Sequence, residues 1–172
     1  PAHFTPDERR NVKVFNQVSA AVVNISTTTL RAVGFFSARV TEVPAGSGSG
    51  FVWDERGHIV TNYHVVQDAI ESKGKLSVLF KNGTTERARV VGYEPKKDIA
   101  VLKVKLPKDL SIKPIPVAKS ADVMVGQTAM AIGSPYGLDQ TFTLGVVSAL
   151  GRTIDGVGGV TIKGVIQTDA SI

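Results

Sequence analysis

The sequence predicts an all-β domain, either a sandwich or a barrel. Short runs rich in β-branched residues recur at intervals of roughly 8–15 residues, and little of the chain has a helical period. Glycine is frequent, with 17 residues, and there are 8 prolines, which suits many short strands joined by turns. Of the 172 residues, 42% are apolar and 20% are charged, so the chain can bury a core.

The N-terminal part predicts a short helix and then a strand. Thr-Pro-Asp-Glu at 5–8 is a helix-start signal, because Thr can cap, Pro suits the first turn and acids favour the N-terminal dipole. Residues 21–27 predict a strand, and 30–44 lack a firm period, which predicts a long loop. The glycine-rich run 45–50 lacks the Lys-Ser/Thr ending of a phosphate-binding loop and predicts a turn instead.

A β-hairpin that ends near a histidine is the centre of the chain. Two β-rich runs, 51–53 and 58–61, are separated by the polar loop 54–57. His64 follows where the second strand stops, and a sheet would hold it more rigidly than a loop, which suits a catalytic base. His58 lies just after the turn and is predicted to face solvent.

Asp98 lies at a comparable boundary 34 residues after His64. It opens the apolar run 99–104, so it either orients a catalytic histidine or caps a loop. Serine catalysis needs an Asp that accepts from one imidazole nitrogen, while the other nitrogen takes the serine proton. We therefore predict that Asp98 contacts a ring nitrogen of His64.

Further strands are predicted at 76–80, 86–93, 128–133, 141–150 and 161–168, with a turn-rich loop at 134–138.

Composition narrows the function classes. The net charge of +5 allows contact with nucleic acid or anionic lipid, but the lysines are spread through loops without interleaved aromatic residues. There is no cysteine, which excludes disulfides, thiolate metal sites and a cysteine nucleophile. No His pair has metal-ligand spacing, so we expect neither a metal site nor a cofactor. No apolar run approaches the ~18 residues of a transmembrane helix, so stable membrane insertion is not expected.

Several motifs together resemble the HtrA/Deg family of trypsin-like serine proteases. Gly-Ser-Gly-Phe-Val-Trp at 48–53 and Thr-Asn-Tyr-His-Val-Val at 61–66 resemble the family's catalytic-histidine hairpin. Lys-Asp-Ile-Ala-Val-Leu-Lys-Val at 97–104 is similar to its catalytic-aspartate motif. The resemblance covers about residues 10–172, including Ala-Ile-Gly-Ser-Pro-Tyr-Gly-Leu at 131–138, Thr-Leu-Gly-Val-Val-Ser-Ala-Leu-Gly-Arg at 143–152 and Gly-Val-Ile-Gln-Thr-Asp-Ala-Ser-Ile at 164–172.

The resemblance implies an all-β, trypsin-like double β-barrel with a short N-terminal helix. Its parts are a lead-in and helix at 1–20, a complete first barrel at 21–118 and a partial second barrel at 119–172, without a PDZ domain in this chain. His64 is implied as general base and Asp98 as its orienting partner. The implied activity is endopeptidase cleavage of unfolded or damaged proteins through an acyl-enzyme, without a cofactor.

The resemblance also implies a homotrimer or higher oligomer and a place outside the cytoplasm, with a periplasm first and a plastid lumen second. Nucleic acid is not an expected partner. The family continues to a Gly-Asn-Ser-Gly-Gly motif with the nucleophile, expected roughly five residues after Ile172 if the triad spacing holds. The chain as given is therefore expected to be inactive. The alternative is a non-catalytic β-barrel that binds proteins, as a pseudoprotease or chaperone-like module.

Two further regions are assigned by resemblance. Ser171 and Ile172 are expected to line the substrate pocket, which would be apolar and select small or medium aliphatic side chains, because Asp169 lies too early to reach its base. The glycine-rich segment 151–163 is expected to be the most mobile internal segment and a regulatory loop. Its candidate residues are Arg152, Asp155, Gly156, Gly158 and Gly159.

Overall fold

A computed structural model describes residues 3–33, 39–134, 140–156 and 159–172. No helix in these described ranges combines the length and the apolar character needed to cross a membrane. The helices are α1 (Pro6–Val18) and α2 (Tyr63–Glu71), and the strands are β1 (Val22–Val33), β2 (Arg39–Val52), β3 (His58–Thr61), β4 (Leu76–Leu79), β5 (Thr85–Glu94), β6 (Ile99–Lys103), β7 (Thr128–Gly133), β8 (Thr141–Asp155) and β9 (Thr161–Thr168).

Helix α1 begins where the sequence predicts. The Thr5 hydroxyl accepts from the Glu8 amide at 3.2 Å, and the Glu8 carboxylate accepts from the Thr5 amide at 2.7 Å. This reciprocal capping box satisfies two amide groups that a helix start would otherwise leave unpaired. The backbone hydrogen bond from Thr5, followed by the bond from its hydroxyl, lowers the pKa of Glu8.

Residues 30–33 and 39–44, predicted to belong to a long loop, are instead strand residues, so that prediction was wrong for them. They belong to β1 and β2, which pair antiparallel along their length, with a register shift where Pro44 lies opposite Thr28. Residues 28–33 and 39–44 pair in continuous register although their sequence has no firm alternation. Residues 34–38 lie outside the described residues.

The glycine-rich run 45–50 is part of β2, so the predicted turn there was also wrong. The run lies where α2 packs against the barrel: an added Cβ on Gly48 would lie 2.5 Å from a methyl carbon of Val65. Small residues are needed because the helix approaches the strand closely at this point.

Six strands close the first barrel in the order β1-β2-β3-β6-β5-β4, which confirms the predicted complete barrel. Inward-facing residues alternate with outward-facing ones, as in β3 and β6, and burying each Val or Ile contributes roughly 1.5–3 kcal/mol. The fully buried apolar side chains of the barrel core are Val23, Ile25, Val52, Ile59, Val66, Val78, Ala100 and Leu102.

The second unit is a three-stranded sheet in the order β7-β8-β9, which agrees with the predicted partial second barrel. The domain limits 1–20, 21–118 and 119–172 stay predictions. Of the predicted loop 134–138, all but the first residue lies outside the described residues.

Buried and partly buried hydrogen bonds join this sheet to the first barrel. Asn24, which is 1% exposed, donates from Nδ2 to the Ser134 carbonyl oxygen at 2.7 Å. The Ser134 amide donates to the Ser49 hydroxyl at 2.9 Å, and the Gln140 side chain donates to the Val22 carbonyl oxygen at 2.9 Å. Because buried polar groups are costly when left unpaired, these bonds fix where the second sheet lies against the barrel.

The turn between β2 and β3 generates a prediction about stability. Gly57 in this turn has a φ angle of 84°, and Gly83 in the turn between β4 and β5 has a φ angle of 83°. An added Cβ on Gly57 would lie 2.3 Å from the Val104 carbonyl oxygen, whereas an added Cβ on Gly83 would have no neighbouring atom within 4 Å. We expect Gly83→Ala to cost about 1–2 kcal/mol through φ alone. Gly57→Ala should cost about 1–3 kcal/mol more, because the neighbouring backbone must move.

Urea denaturation of both variants measures this difference. Equal losses of unfolding free energy in the two variants would contradict the close approach at Gly57.

Candidate active site

His64 lies on a helix rather than at the end of a strand. Strand β3 ends at Thr61, Asn62 occupies the N-cap position, and His64 is the second residue of α2. The prediction that a sheet holds the imidazole was therefore wrong. The rigid support comes instead from the first turn of α2, which packs against β1 and β2.

The predicted contact between His64 and Asp98 is confirmed. The imidazole Nδ1 lies 2.7 Å from Asp98 Oδ2, and the His64 amide donates to Asp98 Oδ1 at 2.9 Å. Both carboxylate oxygens therefore bind one residue, once through its ring and once through its backbone. This two-point attachment fixes the ring relative to the start of β6.

Asp98 has a backbone conformation that few non-glycine residues adopt. It follows a 3-10 turn, Pro95–Lys97, with φ 53° and ψ 45°, and its amide donates to the Pro95 carbonyl oxygen at 3.0 Å. Such a conformation costs energy and persists only where the surroundings hold it. At this position it directs the carboxylate toward α2.

Asn62 is a member of the site that the sequence reasoning did not single out. Its side-chain amide donates to the carbonyl oxygen and to Oδ2 of Asp98, each at 3.1 Å. The signal was its place two residues before His64, at a helix N-cap position, where Asn ordinarily bonds its own helix. Here it bonds Asp98, just before β6, and supports the orienting carboxylate.

Hydrogen bonds decide the charge of Asp98. Partial burial raises the pKa of its carboxyl group, but the hydrogen bonds from the His64 amide and imidazole, with a smaller one from Asn62, outweigh this, so the pKa is lowered from its ordinary value. The ionised carboxylate can only accept, so Nδ1 of the neutral ring donates. Nε2 is then left with a lone pair that can take a proton.

The two side chains differ in exposure. The His64 side chain is 42% exposed, whereas that of Asp98 is 18% exposed. Solvent and substrate can reach the His64 ring, while the Asp98 carboxylate behind it is shielded.

The Tyr63 ring next to His64 stacks on Tyr93, with ring centroids 5.2 Å apart. Burial, then the charges of Glu71 and Tyr93, raise the pKa of Tyr63.

A second His–Asp pair occupies the other end of β3. His58 Nδ1 lies 2.7 Å from Asp54 Oδ2, and its side chain is 22% exposed, so the prediction that it faces solvent was wrong. Asp54 also accepts from the Arg56 guanidinium at 2.9 Å and from the amides of Arg56 and His58. The hydrogen bond from the His58 ring is the main reason that the pKa of Asp54 is lowered. These contacts are local and close a hairpin turn.

The predicted pocket residues lie next to β8. The Ser171 carbonyl oxygen accepts from the Thr143 hydroxyl at 2.6 Å, and Ile172 is fully exposed. Asp169 accepts from the Val146 amide at 2.7 Å, so its carboxylate faces the β8 backbone. Strand β9 approaches the 3-10 turn before Asp98. The assignment of Ser171 and Ile172 to a substrate pocket stays a prediction.

The predicted regulatory loop is largely a β-hairpin. Residues 152–155 of β8 pair with residues 161–165 of β9, and Asp155 lies opposite Thr161. The Arg152 guanidinium donates to the Gln167 side chain at 3.1 Å. The Gly156 amide donates to Val160 and the Gly159 amide to Gly156, while Gly158 lies outside the described residues. A regulatory role for this hairpin stays a prediction.

A closed six-stranded barrel that presents a hydrogen-bonded His–Asp pair, next to a second antiparallel sheet, defines the class of trypsin-like peptidases. The family described as trypsin-like peptidase domain matches residues 48–172. Among described residues, no group of three or more His, Cys, Asp and Glu side chains is placed to hold a metal ion.

Known proteins that are similar to this chain identify the family within the class of trypsin-like peptidases. The chain is 47% identical over 173 residues to Protease Do-like 1, chloroplastic, of Arabidopsis thaliana. This alignment covers 100% of this chain and 38% of that relative. It is 42% identical over 126 residues to the periplasmic serine endoprotease DegP of Escherichia coli, covering 73% and 25% respectively. A crystal structure of Deg5 superposes with a TM-score of 0.80 at 38% identity, covering 99% of this chain and 78% of that one. The chain belongs to the HtrA/Deg family of trypsin-like serine proteases.

The lowered pKa of Asp98 predicts how stability depends on pH. An unfolded Asp has a pKa of about 3.9, so the folded carboxylate stabilises the protein above about pH 4, and this contribution is lost as the pH falls through the folded-state value. Asp98→Asn cannot titrate. We expect its thermal unfolding midpoint to fall less than that of the wild type between about pH 6 and pH 2.5.

Differential scanning calorimetry over this pH range provides the measurement. Parallel acid profiles for the wild type and Asp98→Asn would show that Asp98 does not contribute to acid sensitivity.

Proposed function

We propose that the whole protein is a serine endopeptidase of protein quality control, in which His64 is the general base and Asp98 orients it. The observation that carries the proposal is the 2.7 Å contact of Nδ1 with Asp98 on a ring that is 42% exposed. The chain spans 38% of the length of Protease Do-like 1, so activity and substrates of the whole protein are inferred from the site and the family.

The proposed chemistry uses the free nitrogen of His64. Nε2 takes the proton of a serine hydroxyl as its oxygen attacks the scissile carbonyl carbon, and the Asp98 carboxylate stabilises the imidazolium that forms. The imidazolium then gives the proton to the leaving amine, which leaves an acyl-enzyme for water to hydrolyse. No serine in residues 1–172 stands in a nucleophile-type Gly-X-Ser-Gly context. We propose that the nucleophile belongs to the part of the whole protein outside these residues.

The proposed substrates are unfolded or damaged proteins, and the proposed assembly is a homotrimer or higher oligomer. Both rest on family membership. We propose a location outside the cytoplasm or in a plastid. The chloroplastic relative matches 100% of this chain and the periplasmic relative 73%, which supports the plastid at least as well as the periplasm.

The two His–Asp pairs provide a matched test of the catalytic assignment. In the full-length protein, we expect His64→Ala to lower kcat for casein cleavage by about 10⁴–10⁶-fold, because the general base is lost. His58→Ala removes a ring with the same 2.7 Å contact but should leave kcat unchanged, because its pair only closes a turn.

Equal losses in both variants would point to a folding defect and overturn the assignment. A full-length wild type that binds unfolded casein without cleaving it would favour the alternative of a non-catalytic, chaperone-like module.

We propose a pocket that selects aliphatic side chains, lined in part by Ser171 and Ile172. The support is that Oδ1 of Asp169 accepts from the Val146 amide, which holds this carboxylate against the β8 backbone. Burying a substrate Val or Ile contributes roughly 1.5–3 kcal/mol, whereas an unpaired buried Lys is costly.

Mapping cleavage sites of the full-length protein on unfolded casein tests this specificity. We expect most cuts to follow Val, Ile or Ala. A majority of cuts after Lys or Arg would mean that an acid reaches the pocket and that its wall is misassigned.

A further inference from the structure

A basic groove, defined here by Arg56, Arg87, Arg89, Lys103 and Lys105, opens at one end of the first barrel. Its volume is about 810 Å³, and its remaining lining residues are Glu55, Ala88, Val104 and Leu106. Five cations and one carboxylate therefore line an open groove whose other lining residues are apolar. Nothing in the proposed proteolytic chemistry uses this groove.

The strand register brings these cations together in two rows. Arg89 of β5 lies directly opposite Lys103 of β6, and Arg87 and Lys105, each two residues further along its chain segment, line the same groove. Alternation along each strand directs all four side chains outward, because Ala88, Leu102 and Val104 between and beside them are buried. Within each row the spacing is about 6.5–7 Å, the distance between alternate residues of an extended chain.

This arrangement is unfavourable for folding taken alone. Like charges directly opposite one another on adjacent strands destabilise a sheet. Among the described residues, neither row has a carboxylate within ion-pair distance, whereas Arg56 pairs with Asp54 at 2.9 Å. The Lys103 ammonium donates to the Arg56 carbonyl oxygen, which positions its charge without neutralising it. An anion bound in the groove would relieve this repulsion.

The groove lies away from the candidate active site. Asp98 precedes β6 and Lys103 ends it, so about 16 Å of strand separates the orienting carboxylate from the cations. A partner in the groove would therefore leave the imidazole of His64 free. The groove can bind without taking part in peptide cleavage.

We propose that the basic groove binds an extended acidic segment of a protein, with carboxylates at alternate residues. Such a segment places its acids on one face at about 6.5–7 Å, which matches the rows of Arg87 with Arg89 and of Lys103 with Lys105. Its intervening side chains face away from the groove, because successive side chains of an extended chain point to opposite sides. Arg side chains suit carboxylates because they can bind both oxygens.

Two other polyanions fit the groove less well. Single-stranded nucleic acid needs aromatic side chains on which bases stack, and none lines the groove. A membrane surface contacts protruding cations without regard to their spacing, whereas these cations line a groove in two rows of fixed spacing. The acidic segment is the partner whose charge spacing agrees with these rows.

Fluorescence anisotropy with a labelled Glu-Ser-Glu-Ser-Glu-Ser-Glu peptide and the full-length protein tests the proposal, because binding is read out without cleavage. We expect Arg87→Gln/Arg89→Gln to weaken binding about tenfold, as for the loss of two modest ion pairs. The matched control Lys13→Gln/Lys119→Gln removes two exposed cations elsewhere and should leave binding unchanged. Binding should also weaken at about 0.3 M salt through screening.

A second peptide separates charge spacing from charge alone. It carries four glutamates with two serines between each, so alternate acids face opposite sides of an extended chain, and it should bind several-fold more weakly. The proposal is overturned by equal binding of the two peptides, by equal effects of the groove and control variants, or by groove-dependent binding to oligothymidine or anionic vesicles but not to peptide. Arg87→Gln/Arg89→Gln should keep or raise the thermal midpoint, which shows that it folds.

Discussion

The Asp98 carboxylate is the interaction on which the candidate site depends. It accepts from the His64 amide, the His64 ring and the Asn62 side chain, and so joins the start of β6 to the first turn of α2. The left-handed backbone at Asp98 directs the carboxylate, and the closed barrel holds that backbone in place. Geometry, ionisation and tautomer of the pair follow from this one group, because each hydrogen bond favours the charged carboxylate.

The two His–Asp pairs show why distance alone does not define a catalytic site. Both contacts measure 2.7 Å, yet His58 and Asp54 are four residues apart in a hairpin turn, and that carboxylate also binds Arg56. His64 and Asp98 are 34 residues apart and come from different elements, with the ring more exposed than the carboxylate. The pair of His58 and Asp54 closes a turn. The pair of His64 and Asp98 leaves the Nε2 nitrogen of His64 at an accessible surface.

The closed barrel also separates a paired carboxylate at one end from a cluster of cations at the other. At one end of β3 and β6, a carboxylate is matched by donors and orients a neutral imidazole. At the other end, the outward side chains of β5 and β6 bring cations together without matching carboxylates among the described residues. The rigid ladder between the two ends keeps these environments apart, because strands paired on both sides cannot slip without moving buried side chains to the surface.

Local patterns in the sequence determined the all-β class, the cap of α1, the hairpin around 54–57 and the identity of His64 and Asp98, because these depend on residue types and on short spacings. Tertiary structure alone decided that residues 30–33 and 39–44 pair as strands, that His64 lies on a helix and that Asn62 supports Asp98. Each of these rests on contacts between residues far apart in the chain. Strands that lack a local alternating pattern form because they pair with each other. The distant Asp98 carboxylate accepts from the His64 amide, which the Asn62 side-chain oxygen would ordinarily cap, and a local pattern can encode neither contact.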